Sequence, residues 1–149
     1  MKAIKRRGGN LDKKEYLSRY HNLIEKIERK KQYIAFCEER SHSIPGQDFS
    51  VERVDHTPSL EAPFVKWVLR GLDAERELKE LEKECEKTRS EIEKIIVEIP
   101  DEQLQMVLYY RYIDWLSWTE ISNKIFFSEK TVRRRHDFAL EFVKIPLTP

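Results

Sequence analysis

The chain has 149 residues, enough for one ordinary domain or two small ones. Charged residues make up 37% of it, yet Lys plus Arg (28) and Asp plus Glu (27) nearly cancel, so any attraction for a polyanion must be local. Cys37 and Cys85 have no paired spacing and no apolar run approaches the ~18 residues of a membrane span, which excludes a disulfide scaffold and a membrane protein and points to the cytoplasm.

Residues 1–11 open with Met1-Lys2-Ala3-Ile4-Lys5-Arg6-Arg7, with no apolar stretch behind the charges, unlike a signal peptide. They read as a basic, flexible arm. Asp12 and Glu15 have capping-box spacing and predict the start of a long helix that runs to about Arg40. Behind them Leu17, Tyr20, Ile24, Ile27, Lys31 and Ile34 step alternately by three and four, the pattern of a coiled-coil seam. Residues 41–63 carry Pro45-Gly46, Thr57-Pro58 and Pro63 and read as a loop.

Phe64 to Ile99 predicts a second long helix, roughly 54 Å in length. Its seam is Phe64, Trp67, Gly71, Ala74, Leu78, Leu81, Cys85, Thr88, Ile92, Ile95 and Ile99, flanked almost wholly by charge. So narrow a stripe needs a partner helix, either the first helix folded back or a second copy of the chain. The first helix's own seam spans fewer steps, and the expectation is a homodimer through the long helices, the first packed beside the second. Residues 12–99 therefore form a coiled-coil-like pair, ended by Pro100.

From residue 100 the segments shorten. Asp101 to about Asp114 predicts a helix with Leu104, Val107, Leu108, Tyr112 and Tyr109 inward. Ser117 and Glu120 form a further capping box ahead of Ile121 and Ile125. Ser128 is the N-cap candidate for a last helix from 129 to about 143, with Val132, Ala139, Leu140 and Val143 inward. Two short helices joined by about three residues, the second basic, are the helix-turn-helix arrangement. The fold class is thus all-α, a long helical hairpin followed by a small helix-turn-helix module at 100–149.

Charge placement raises this reading above plain core packing. Between Lys124 and Arg135 lie five cations (Lys124, Lys130, Arg133, Arg134, Arg135) and one acid, Glu129, although the whole segment from Asp101 onward holds seven of each sign. Arg133 and Arg134 present forked donors suited to guanine edges or phosphates. Lys124, Lys130 and Thr131 are candidates for phosphate or base contacts, and Ser128 caps a helix end that can itself take a phosphate. Arg135 falls on the apolar side, its stem packed and its head turned outward. The predicted partner is double-stranded DNA.

The runs Val107-Leu108-Tyr109-Tyr110-Arg111-Tyr112-Ile113-Asp114, Leu116-Ser117-Trp118-Thr119-Glu120-Ile121 and Ser128-Glu129-Lys130-Thr131-Val132, then Ala139-Leu140, resemble region 4 of bacterial sigma factors. They resemble more closely the ArpU-type transcription regulators of phages and prophages; Lys14-Glu15-Tyr16-Leu17 and Val54 to Pro58 add looser likeness upstream. The resemblance implies sequence-specific regulation of phage or prophage genes, and a contact to RNA polymerase as a further expectation. Where that pattern has glycine, this chain has Trp115 and Phe126, so either the second turn takes another form or the Phe126 ring is buried.

The four histidines are scattered, no phosphate-cradling glycine loop or nucleophile elbow occurs, and the carboxylates lie on charged helix faces. No metal, cofactor or enzymatic activity is expected. Two other readings stay open: the DNA-recognition small subunit of a phage packaging motor, and a coiled-coil adaptor whose module is vestigial.

Overall fold

The computed structural model describes residues 2–42 and 63–146, with side chains from Asp12 and from Phe64 onward. All regular structure in them is helical: α1 (Lys2–His42), α2 (Pro63–Val97), α3 (Glu102–Tyr112), α4 (Trp118–Ile125) and α5 (Glu129–Phe142). The expected loop lies outside the described residues except at its edges, where α1 runs on to His42 and α2 begins at Pro63.

Helix α1 begins at Lys2 rather than Asp12, so Asp12 and Glu15 lie inside it and cap nothing, and the expected flexible arm continues the helix. The reason is cooperative. Extending an existing helix needs no new nucleus, and Lys, Ala and Arg propagate well enough to carry it past Gly8 and Gly9.

The chain divides into two compact units, residues 1–24 with 84–149, and residues 25–83. In the second unit α1 and α2 lie side by side. Trp67 meets Phe36 edge-on at 5.4 Å, Arg40 stands over both rings, and Lys30 pairs with Glu77. Gly71 faces Cys37, and a Cβ at Gly71 would stand 3.5 Å from the Cys37 Cβ.

The seam of α1 keeps Leu17, Tyr20, Ile27 and Ile34 of the expected row and shifts by one residue at the other two steps, from Ile24 to Leu23 and from Lys31 to Lys30. Leu23 and Cys37 are buried, while Ile24 and Lys31 are exposed; the inward row is Tyr20, Leu23, Ile27, Lys30, Ile34, Cys37. Both phases alternate by three and four, so periodicity alone cannot choose between Leu23 and Ile24. The seam of α2 holds at Ala74, Cys85, Thr88, Ile92 and Ile99, all buried, but Ile96 replaces Ile95 in the core. A straight helix drifts about 20° per heptad from a strict 3.5-residue repeat, which brings the neighbouring row inward towards the end of α2.

In the first unit Leu17 of α1, Ile92, Ile96 and Ile99 around the end of α2, Leu104, Leu108 and Tyr112 of α3, and Ala139, Leu140 and Val143 of α5 form one core. The boundary expected at residue 100 is therefore not a break in packing. The lower end of the α2 seam is covered within the chain, so its stripe is no ground for a second copy there.

Candidate nucleic-acid interface

Local signals set the three short helices. The Asp101 side chain accepts from the Gln103 N–H at the start of α3. Ser117 and Glu120 form the expected reciprocal box: the Ser117 hydroxyl accepts from the Glu120 N–H, and the Glu120 carboxylate accepts from the Ser117 N–H at 2.7 Å. That backbone N–H holds the Glu120 carboxyl below the ordinary carboxylate range. The Ser128 hydroxyl accepts from the Thr131 N–H and opens α5.

Helices α3, α4 and α5 pack on one another around Val107, Ile121 and Val132, with Tyr110, Leu116, Trp118 and Ile125 at the edge. Helix α5 buries Val132, His136, Ala139 and Leu140. At 100° per residue, its opposite face carries Lys130, Arg133, Arg134 and Asp137 in one exposed stripe. The cations occupy the first two turns, and Asp137 and Glu141 follow them, so only the front of the helix is suited to a polyanion.

The predicted site residues separate into two groups. Lys124, Lys130, Arg133 and Arg134 are exposed. Arg133 stands over the Trp118 ring at 5.6 Å and Lys124 over Tyr110 at 5.2 Å, contacts that order their stems without using up their charge. Ser128 and Thr131 instead hydrogen-bond to each other through their hydroxyls at 2.9 Å, and together they shape the helix start. Arg135 is half-buried, its guanidinium 3.9 Å from the centre of the Phe127 ring and donating to Gln103 Oε1. Its head is held by α3, leaving four cations rather than five for an outside partner.

Three further features shape the module. His136 is only 2% exposed, and its Nε2 lies 2.7 Å from the Tyr112 hydroxyl while its Nδ1 lies 3.1 Å from Asp137 Oδ1. Since a carboxylate only accepts, Nδ1 carries the proton and the Tyr112 hydroxyl donates to Nε2. Burial pushes the imidazole down to about 4, against the Asp137 hydrogen bond, which favours the charged form. Burial likewise raises the Tyr112 hydroxyl. The only sequence hint is spacing: His136 falls four residues from both Val132 and Leu140, on the inward face.

The other two features are, among the described residues, the non-glycine residues with positive φ, Trp115 (54°) and Phe126 (59°). Trp115 stacks on His21 of α1 at 3.7 Å with the planes 3° apart, so ring contact offsets the left-handed backbone. Phe126 takes the same conformation, yet its ring is 91% exposed. Neither alternative drawn from the sequence is met: the turn keeps the glycine-like form and the ring is not buried. The left-handed region costs a side-chain-bearing residue about 1–2 kcal/mol, which neighbours must supply. They do so through the Ser122 hydroxyl, which donates to the Phe127 carbonyl, and through Phe127 under Arg135.

Among the described residues no cluster of three or more His, Cys, Asp or Glu could hold a metal ion, and no helix is long and apolar enough to cross a membrane. Comparison with family models, curated proteins and solved structures gives no match to this chain.

Proposed function

We propose that the chain is a sequence-specific DNA-binding regulator that lays the front of α5 in the major groove. The observation that carries this reading is the exposed row Lys130, Arg133 and Arg134 on the first two turns of a helix whose other face is buried. A helix in the groove presents N-terminal side chains to base edges, and guanidinium pairs with guanine O6 and N7. Lys124 and the Ser128-capped end of α5 contact phosphates. The likeness to ArpU-type regulators supplies the setting, control of phage or prophage genes in the cytoplasm, and RNA polymerase is a second partner in this proposal.

A single module with four exposed cations binds weakly, and operators are commonly read as paired half-sites. The proposal therefore includes a homodimer through the long helices. In the structure the exposed apolar residues of α2 include Phe64, Val68, Leu69 and Leu72; Val68 and Leu72 border Trp67 and Gly71, and Leu69 lies on the opposite face of the helix.

Filter binding of the full chain to duplex DNA across a salt series tests the reading. About 0.9 counterion is released per phosphate, so four cations predict a log–log slope near −3.5 per module. A slope near zero refutes it. Arg134→Ala is expected to cost about 1–3 kcal/mol on a selected site and little on random sequence, whereas Lys124→Ala weakens both alike.

A further inference from the structure

Phe126 combines a backbone conformation that ends α4 with a ring that the fold does not use. Its backbone is left-handed, the conformation for which glycine and asparagine are the cheap choices, and its ring is 91% exposed. The other left-handed residue, Trp115, is stacked on His21 within the chain. At Phe126 the backbone is held by the Ser122 hydroxyl on the Phe127 carbonyl and by Phe127 under Arg135, neither of which uses the Phe126 ring, and that exposed ring gains nothing from burial in the free protein. A ring kept in solvent where glycine would be the cheaper residue is free to be buried by a partner.

Position and charge identify the partner. Phe126 lies three residues before the first residue of α5, within about 10 Å of chain from the helix end assigned to the groove. Exposed Lys124 and Lys130 bracket it in sequence, with Arg134 one turn further on. An apolar ring among cations suits a polyanion that also offers apolar groups. In the major groove of DNA the apolar group on a base edge is the C5-methyl of thymine, for which a phenyl ring is a suitable contact.

We propose that Phe126 is a specificity-determining residue that packs its ring on a thymine methyl beside the bases read by α5. The inference rests on the DNA-binding reading above. It assigns the turn before α5 a direct part in sequence choice, with apolar readout added to the cationic readout of Arg133 and Arg134.

The test uses duplexes selected from a random pool by the full-length wild-type chain. Each thymine of the winning sequence is replaced in turn by deoxyuridine, which removes only the methyl group. Wild type is expected to lose about fourfold in affinity at one or two positions flanking the cation-read bases, the value of one buried methyl. Phe126→Gly, which relieves the backbone, and Phe126→Asn, which tolerates the left-handed region without the ring, should melt at or above the wild-type temperature. Both should bind the selected duplex severalfold more weakly and show no further loss with deoxyuridine. Unchanged affinity in both variants, or a deoxyuridine profile identical to that of wild type, overturns the proposal. Weaker binding without any deoxyuridine dependence would place the ring on sugar rather than thymine and also overturns it. Failure of wild type to enrich any duplex refutes the DNA-binding reading itself, a result distinct from these.

Discussion

Acid should loosen helix α5 through one side chain. His136 is buried and neutral, with its Nδ1–H on Asp137 and its Nε2 accepting from Tyr112. Its environment is completed by the Trp118 ring at 4.9 Å and by the positive fields of Lys14 and Arg111. Burial lowers the folded-state value to about 4, against about 6.5 for an unfolded histidine. Between those two values the unfolded chain binds a proton that the folded chain refuses, and each pH unit removes about 1.4 kcal/mol. The folded pKa is depressed, so the contribution is fully present above about pH 6.5 and lost as pH falls through about 4, some 3 kcal/mol in all. Urea unfolding followed by circular dichroism at pH 7.5, 6.5, 5.5 and 4.5 measures it, with His136→Gln as the reference. The variant is less stable at pH 7.5, because the packed ring and the Tyr112 bond are gone, but its stability should fall less steeply below pH 6.5. Carboxylates and the other histidines titrate in both proteins, so the difference between the curves isolates His136. Parallel curves would mean that His136 is not neutral in the folded chain, and the acid argument fails. Asp137→Asn, which removes the group favouring the charged ring, should move the loss to still lower pH.

Ile92→Glu places a carboxylate in the core shared by α1, α2, α3 and α5, and should cost more than about 4 kcal/mol, seen as loss of near-ultraviolet circular dichroism at neutral pH. Leu69→Glu, at a site 55% exposed, should leave the fold intact and by light scattering convert a dimer to a single chain; a wild type already of one-chain mass at micromolar concentration removes the dimer. Gly71→Ala should stabilise by about 0.5–1 kcal/mol in thermal melts, since alanine favours helix and its methyl would meet Cys37 at an ordinary 3.5 Å; a lower melting temperature would mean that the helices approach more closely there.

The last third was the most legible part of the sequence because each element there carries its own start signal. Ser117 with Glu120, and Ser128, cap where the spacing places them, Asp101 caps α3 at the residue expected to begin that helix, and Leu104, Val107, Leu108 and Tyr112 all turn inward. A cap is a local device: side chain and backbone lie within three residues, so no distant contact is needed to recognise it. The long helices lack that constraint. Asp12 and Glu15 offer a correct box at a place where the helix is already running, and a box cannot exclude helix before it. Leu23 and Ile24 are adjacent, both apolar, and both compatible with a 3.5-residue step, so which one is buried depends on the neighbouring helix. Arg135 illustrates the same dependence at the candidate site. Its charge looks available in the sequence, but Gln103, thirty-two residues earlier, and the Phe127 ring take up its head.

The packing of the module also bears on how the proposed DNA binding would be organised. Leu17 of α1 and Ile92, Ile96 and Ile99 around the end of α2 share one core with Ala139, Leu140 and Val143 of α5, and Lys13 of α1 donates through its Nζ to the Leu140 carbonyl at 2.8 Å. That carbonyl also accepts from the Val143 N–H at 3.2 Å, and the ammonium adds a positive charge at the negative end of the α5 dipole. Trp115, between α3 and α4, is likewise held by His21 of α1. The α3–α5 module is therefore anchored to α1 at both its turn and its last helix. A module cut away at Pro100 would lose Leu17, Ile92, Ile96 and Ile99 together as core partners of Leu104, Leu108 and Leu140, and with them part of the surface that fixes the direction of α5. The cations of α5 are displayed by a helix whose orientation is set by the adjoining parts of α1 and α2, and under the proposed function those parts would belong to the DNA-reading surface.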